Sequence, residues 1–150
     1  AEALKKAQTE LKKTHPQWSM IVYDAARPMS VQQKMWDVVK GTSKRIYVSN
    51  PANGGGLHNY GFAVDVSICN EKGDTIPMGT IIDHLGREAQ PKLEEEMLSR
   101  GVVSQEALSN RRLLRQVMAA GGYKVLSTEW WHFNLKTRKQ VKAEGRKPIR

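Results

Sequence analysis

Between Phe62 and Ile68 the sequence FAVDVSI places Phe62, Val64, Val66 and Ile68 at every second position, with Ala63, Asp65 and Ser67 between them. A period of two marks a β-strand whose successive side chains point to opposite faces, so Asp65 lies on the face away from the bulky apolar groups. The preceding run, SNPANGGG (49–56), is dense in turn formers and predicts an irregular loop. GGG is not a phosphate loop, because no Lys-Ser/Thr follows it and no helix is expected to open there.

Other segments supply the remaining elements. Leu4, Ala7 and Leu11 recur at helical spacing, and His15-Pro16 ends that run. MIVYD (20–24) is a compact β-rich run. Ser30 and Gln33 form an S-x-x-Q capping box, which predicts a helix over 30–39 closed by Gly41, with Arg27 in the loop before it. Helices are expected over 91–100 and 104–120, the second with Leu114, Val117 and Met118 inward and Arg111, Arg112 and Arg115 largely outward. YKVLS and WWHFNL read as short strands. The mixture lacks a regular βαβ alternation, so the expected class is α+β, a single domain with a small central antiparallel sheet flanked by helices.

Length and composition permit this. A chain of 150 residues buries roughly 68 to 70% of its unfolded surface, enough for a core without disulfides. With 39% apolar and 26% charged residues, the chain is expected to be a folded, soluble protein. No stretch reaches the roughly 20 apolar residues that span a bilayer. The opening AEALKKAQTELKK is amphipathic and charged rather than a signal peptide. The first residue is not Met, which leads to the expectation of an upstream segment. If that segment is a removed signal, the location is the periplasm or cell envelope; otherwise it is the cytoplasm. Cys69 is single, so it closes no intrachain disulfide, and it reads as a small apolar strand residue rather than a nucleophile. From Lys136 onward seven basic side chains face one acid, Glu144, so this tail carries +6 of the net +9 and is expected to be a solvated or frayed end.

Two clusters carry candidate chemistry: GLHNYGFAVD, with His58 and Asp65, and TEWWHFN, with Glu129 and His132. Imidazole and carboxylate both bind zinc, and catalytic sites combine three protein ligands with a water. His58, Asp65 and His132 supply such a set. Glu129, three residues before a ligand, is the candidate general base and acid for a water whose pKa zinc lowers to about 7. Residues i and i+3 of a regular strand face opposite sides, so Glu129 is expected in the loop before the strand. An ideal strand over 128–134 would count against its assignment. Spacing alone leaves open that these histidines are hydrogen-bonded structural residues. The zinc patterns HExxH and H-x-E with P-C-x-x-C are both absent.

In combination, DAARP, GGGLHNYGFAVDV, PMGTIID and STEWWHFN resemble the VanX-type D-alanyl-D-alanine dipeptidases, relatives of the zinc D,D-carboxypeptidases of cell-wall metabolism. The resemblance runs over about 15–135. It implies one Zn2+ held by His58, Asp65 and His132, Glu129 as catalytic base, and Arg27 stabilising the oxyanion of the tetrahedral intermediate. It further implies Asp83 as receiver of the dipeptide's ammonium, and a small dipeptide rather than nucleic acid as partner. Of the paired tryptophans, one is expected in the core and the other, assigned as Trp131, lining the pocket. Gly56 departs from the family pattern, which has Ser at this substrate-binding position; backbone N–H groups of the glycine-rich loop are expected to replace the hydroxyl. His15 and His84 match no ligand position. Two alternatives remain: a zinc D,D-carboxypeptidase trimming cell-wall peptides, and a non-catalytic module binding cell wall or nucleic acid through the basic tail. A base beside an open coordination position favours catalysis over the module.

Overall fold

The computed structural model describes residues 1–150. Five α-helices and four strands follow in the order α1 (Glu2–Thr14), β1 (Ser19–Asp24), α2 (Met29–Val39), β2 (Ala63–Cys69), α3 (Glu94–Ser99), α4 (Gln105–Ala120), β3 (Lys124–Leu126), β4 (Glu129–Asn134) and α5 (Arg138–Ala143). The strands form one antiparallel sheet in the order β1-β2-β4-β3, the α+β arrangement expected. By internal packing the chain falls into two units, Ala1–Tyr23 with Asp65–Phe133 and Asp24–Val64 with Asn134–Arg150. The division passes through the continuous strands β2 and β4.

The first unit is organised by apolar burial. Alternation in β2 predicts one apolar face, yet all seven of its residues are buried, as a strand in the middle of a sheet with both faces covered requires. Helix α1 buries Ala7 and Leu11 and packs on α4. Ser104 caps α4 by accepting the Ala107 N–H at 3.1 Å. Met97, Val103, Ala107 and Leu108 form an apolar cluster between α3 and α4.

Arg111 corrects the reading of α4, because it is buried rather than outward. Helical spacing places it among Ala107, Leu108, Leu114 and Met118, all fully buried. Its Nε donates to Met78 O at 2.7 Å and its Nη2 to Glu88 O at 2.9 Å, while Nη1 lies 3.6 Å from the buried Glu94 carboxylate. Burial pushes its pKa below the usual arginine value, and Glu94 opposes that shift.

The second unit has a different interior. Helix α2 begins at Met29 with Pro28 as its N-cap, and no side chain caps it. The expected S-x-x-Q box does not form: the proline ring already sets the φ that a helix entry needs, and Pro28 O takes the N–H groups of Val31 and Gln32 at 3.1 Å. Lys40 rather than Gly41 closes the helix. The basic tail is solvated along most of its length, as one of the two expected alternatives has it, and it carries a short helix. Thr137 and Gln140 form a capping box for α5, Val141 is buried, and Lys136 and Arg146 sit over the Phe62 ring at 4.8 and 5.8 Å. The Ile149 N–H donates to Asn59 O at 2.7 Å, and Ile149 O accepts from the Met29 N–H at 2.9 Å.

Candidate metal centre

His58 occupies a single 3-10 turn, Leu57–Tyr60, between Gly56 and Gly61. The turn is held from within by Asn59, which is fully buried. Its Oδ1 accepts the Gly56 N–H at 2.7 Å and its Nδ2 donates to Arg27 O at 2.9 Å, while the Arg27 N–H donates to His58 O at 3.0 Å. A Cβ on Gly55 would collide with that Asn59 amide, and Gly55 has φ +68°, so glycine is required there on two counts. His58 Nδ1 lies 3.0 Å from Ala25 O. A carbonyl only accepts, so Nδ1 carries the proton and the ring's lone pair is on Nε2, the arrangement typical of a metal-ligating histidine.

Asp65 is the third residue of β2 and His132 the fourth of β4. His132 Nδ1 lies 3.0 Å from Asp65 Oδ1. Glu129 Oε2 lies 4.0 Å from the same nitrogen. Glu129 is the first residue of β4, not part of the preceding loop as expected, and Thr128 remains in the turn. Strand alternation therefore did not keep the two side chains apart. A residue directly after a turn is at the frayed end of the pleat, where the i, i+3 rule is weakest.

His58, Asp65 and His132 each offer one ligand atom, and these atoms lie within 4.8 Å of one another, a grouping that could hold a metal ion. The donor chemistry fits such an ion: two imidazoles and one carboxylate, all largely withdrawn from water, make a poor hydrophobic cluster but a typical set for a divalent transition metal.

The remaining candidates are placed as follows. The Arg27 guanidinium donates through Nε and Nη2 to Asp24 Oδ2 at 2.8 and 2.5 Å, and through Nη1 to Gln32 Oε1 at 3.0 Å. Asp83 stands in an exposed turn with φ +64°, a left-handed conformation that aspartate tolerates better than most residues. Trp130 and Trp131 are both buried, 2% and 1% exposed, with their rings edge to face. β4 is an inner strand, and none of its residues is exposed. The Trp130 indole N–H donates to Thr80 Oγ1 at 2.7 Å.

The glycine-rich loop does not offer the backbone donors expected of it. Gly54 N–H donates to Pro51 O, Gly55 N–H to Asn50 O and Gly56 N–H to the Asn59 side chain. A Cβ on Gly56 would come within 2.9 Å of Ser49 Oγ, so the hydroxyl beside this position is that of Ser49. His15 stacks on Trp18, and His84 pairs with Glu88, both apart from the cluster. Gln32, Asp24 and Asn59 escaped the sequence reading. Asn59 lies within the quoted GLHNYG, and an amide beside a turn histidine was the available signal.

The model of the peptidase family described as D-ala-D-ala dipeptidase matches residues 1–144. The chain belongs to this family. It is 30% identical over 116 residues to the D-alanyl-D-alanine dipeptidase of Escherichia coli (strain K12), covering 77% of this chain and 54% of that protein. It is 25% identical over 160 residues to the D-alanyl-D-alanine dipeptidase of Synechocystis sp. (strain ATCC 27184 / PCC 6803 / Kazusa), covering 87% of this chain and 65% of the relative. The protein of the same name from Enterococcus faecium is 31% identical over 80 residues, 53% of this chain and 36% of that one. The chain thus spans between about a third and two thirds of the length of these relatives. No helix is long and apolar enough to cross a membrane.

Proposed function

We propose that this protein hydrolyses the peptide bond of D-alanyl-D-alanine-type dipeptides, with zinc held by His58, Asp65 and His132. The observation that carries the reading is the grouping of these ligand atoms with the Glu129 carboxylate 4.0 Å from His132, in a chain of this family. A divalent cation held there supplies Lewis acidity and makes water a nucleophile at neutral pH.

The residues divide the remaining work. Glu129, buried beside His132, takes the proton of the attacking water and returns it to the leaving amine. Arg27, oriented by Asp24, offers its guanidinium to the negative charge that develops on the scissile carbonyl oxygen. Asp83 receives the free ammonium of the dipeptide, and this separates a dipeptidase from an enzyme that trims longer peptides. The Ala25 carbonyl holds the His58 ring in its ligating tautomer.

The test is an assay of zinc-loaded and chelator-treated protein against D-Ala-D-Ala, L-Ala-L-Ala and a tripeptide ending in D-Ala-D-Ala. Preference of the loaded protein for the free D,D-dipeptide is expected, with activity lost on chelation. Glu129→Gln is expected to lower kcat by roughly 10²- to 10⁴-fold with one zinc per chain retained. Undiminished hydrolysis by that variant refutes the assigned base.

A further inference from the structure

We infer that Gln32 is a positioning residue that holds the Arg27 guanidinium in the orientation the reaction uses; the inference rests on the role proposed above for Arg27. Gln32 is the one buried residue of the eleven-residue helix α2, 1% exposed, whereas the apolar Val31 and Val38 of the same helix are 42% and 78% exposed. A helix that buries an amide in place of its apolar residues pays a desolvation penalty unless both ends of the amide are paired.

Both ends are paired, and each fixes the other. Oε1 accepts from Arg27 Nη1 at 3.0 Å, and Nε2 donates to Ser49 O at 2.8 Å. A carbonyl cannot donate and a guanidinium cannot accept, so only one orientation of the amide satisfies both partners. Asp24 takes the Nε and Nη2 edge of the same guanidinium. The planar group is therefore gripped at all three nitrogens, by a carboxylate on one side and a buried amide on the other. Such fixing is what stabilisation of a developing charge needs, since donors that must reorganise during the reaction lose most of their effect.

A purely structural Gln32 would serve only to tie α2 to the Ser49 carbonyl, and two variants separate the roles. Gln32→Glu keeps an acceptor for Arg27 but loses the donor to Ser49; Gln32→Met loses both at similar size. Positioning predicts that Gln32→Met lowers kcat on the order of 10-fold with KM little changed, and that Gln32→Glu recovers most of the loss. In an Arg27→Ala background, Gln32→Met is expected to cost less than about 2-fold, because groups that act as a unit are not additive. A Glu variant no better than the Met variant overturns the inference, as does the same cost with and without Arg27. Should Gln32→Met fail to fold, Gln32→Asn, which withdraws the amide by one methylene, is expected to show the same loss. The Arg27 Nε–H signal in ¹⁵N spectra reads the positioning without turnover. It should shift in the Met or Asn variant and stay near its wild-type place in the Glu variant. A wild-type protein that leaves D-Ala-D-Ala intact sinks the proposed function alone, while an unmoved Arg27 signal sinks the positioning.

Discussion

The two units differ in what fills their interiors. The unit containing Asp65–Phe133 holds twelve basic and twelve acidic side chains and buries large apolar groups such as Trp130, Trp131, Phe133 and Leu114. The unit containing Asp24–Val64 holds twelve basic and only three acidic side chains, and therefore carries the whole net charge. Its buried hydrophobics are Ala63, Val64 and Val141, beside the buried polar groups Gln32, His58 and Asn59. Asp65, Glu129 and His132 are thus held by strands in an apolar core. The Arg27 guanidinium is held by Asp24 and the Gln32 amide, and the His58 ring by the Ala25 carbonyl, in a turn braced by the Asn59 amide. Apolar packing is non-directional and supplies stability, whereas hydrogen bonds are directional and fix orientation. The same chain uses each where its geometry demands it.

The contrast can be broken by substitution. Phe133→Ala, in the apolar core, is expected to cost about 3–5 kcal/mol and to lower Tm on the order of 10 °C in a thermal melt. Asn59→Ala removes a partner from Gly56 N–H and from Arg27 O and is expected to cost about 1–3 kcal/mol. Its kcat should fall by more than the loss of folded protein accounts for, because the turn that carries His58 loosens. If Asn59→Ala instead lost stability like Phe133→Ala and kept full turnover per folded molecule, the division between packing and orientation would fail.

The smallest effect belongs to an exposed ion pair. A hydrogen bond from Lys136, and then one from Arg146, hold the Glu144 carboxyl below its ordinary value. A lowered folded pKa means that the stabilisation is present above the ordinary value of 4.5 and is lost as pH falls through the folded one. Glu144→Gln should therefore lower Tm slightly at pH 6 and by progressively less as the pH falls below 4.5, as melts across that range would read. The effect is small because solvent screens the pair.

Much of this architecture is legible in residue order. Alternation in 62–68 located β2, helical spacing located α1 and α4, and Ser104 marked the start of α4. T-x-x-Q at Thr137 was an equally legible cap that the charge of the tail obscured. Arg111 was misread because its charge outweighed its position, although spacing alone put it in the apolar stripe. Burying a guanidinium needs acceptors, and those are carbonyls of Met78 and Glu88, more than twenty residues away in sequence.

The sequence by itself determined the elements, the family and the residue types able to bind a divalent cation, because periodicity and side-chain chemistry are local properties. Only the tertiary structure decided which of these groups meet, that Glu129 can approach His132 from the first residue of a strand, and that the Gly54 to Gly56 N–H groups are already engaged. It also decided that Arg27 is gripped by Asp24 and Gln32. Such pairings depend on distances and hydrogen-bond directions that exist only once the chain has closed on itself, and no spacing rule encodes them.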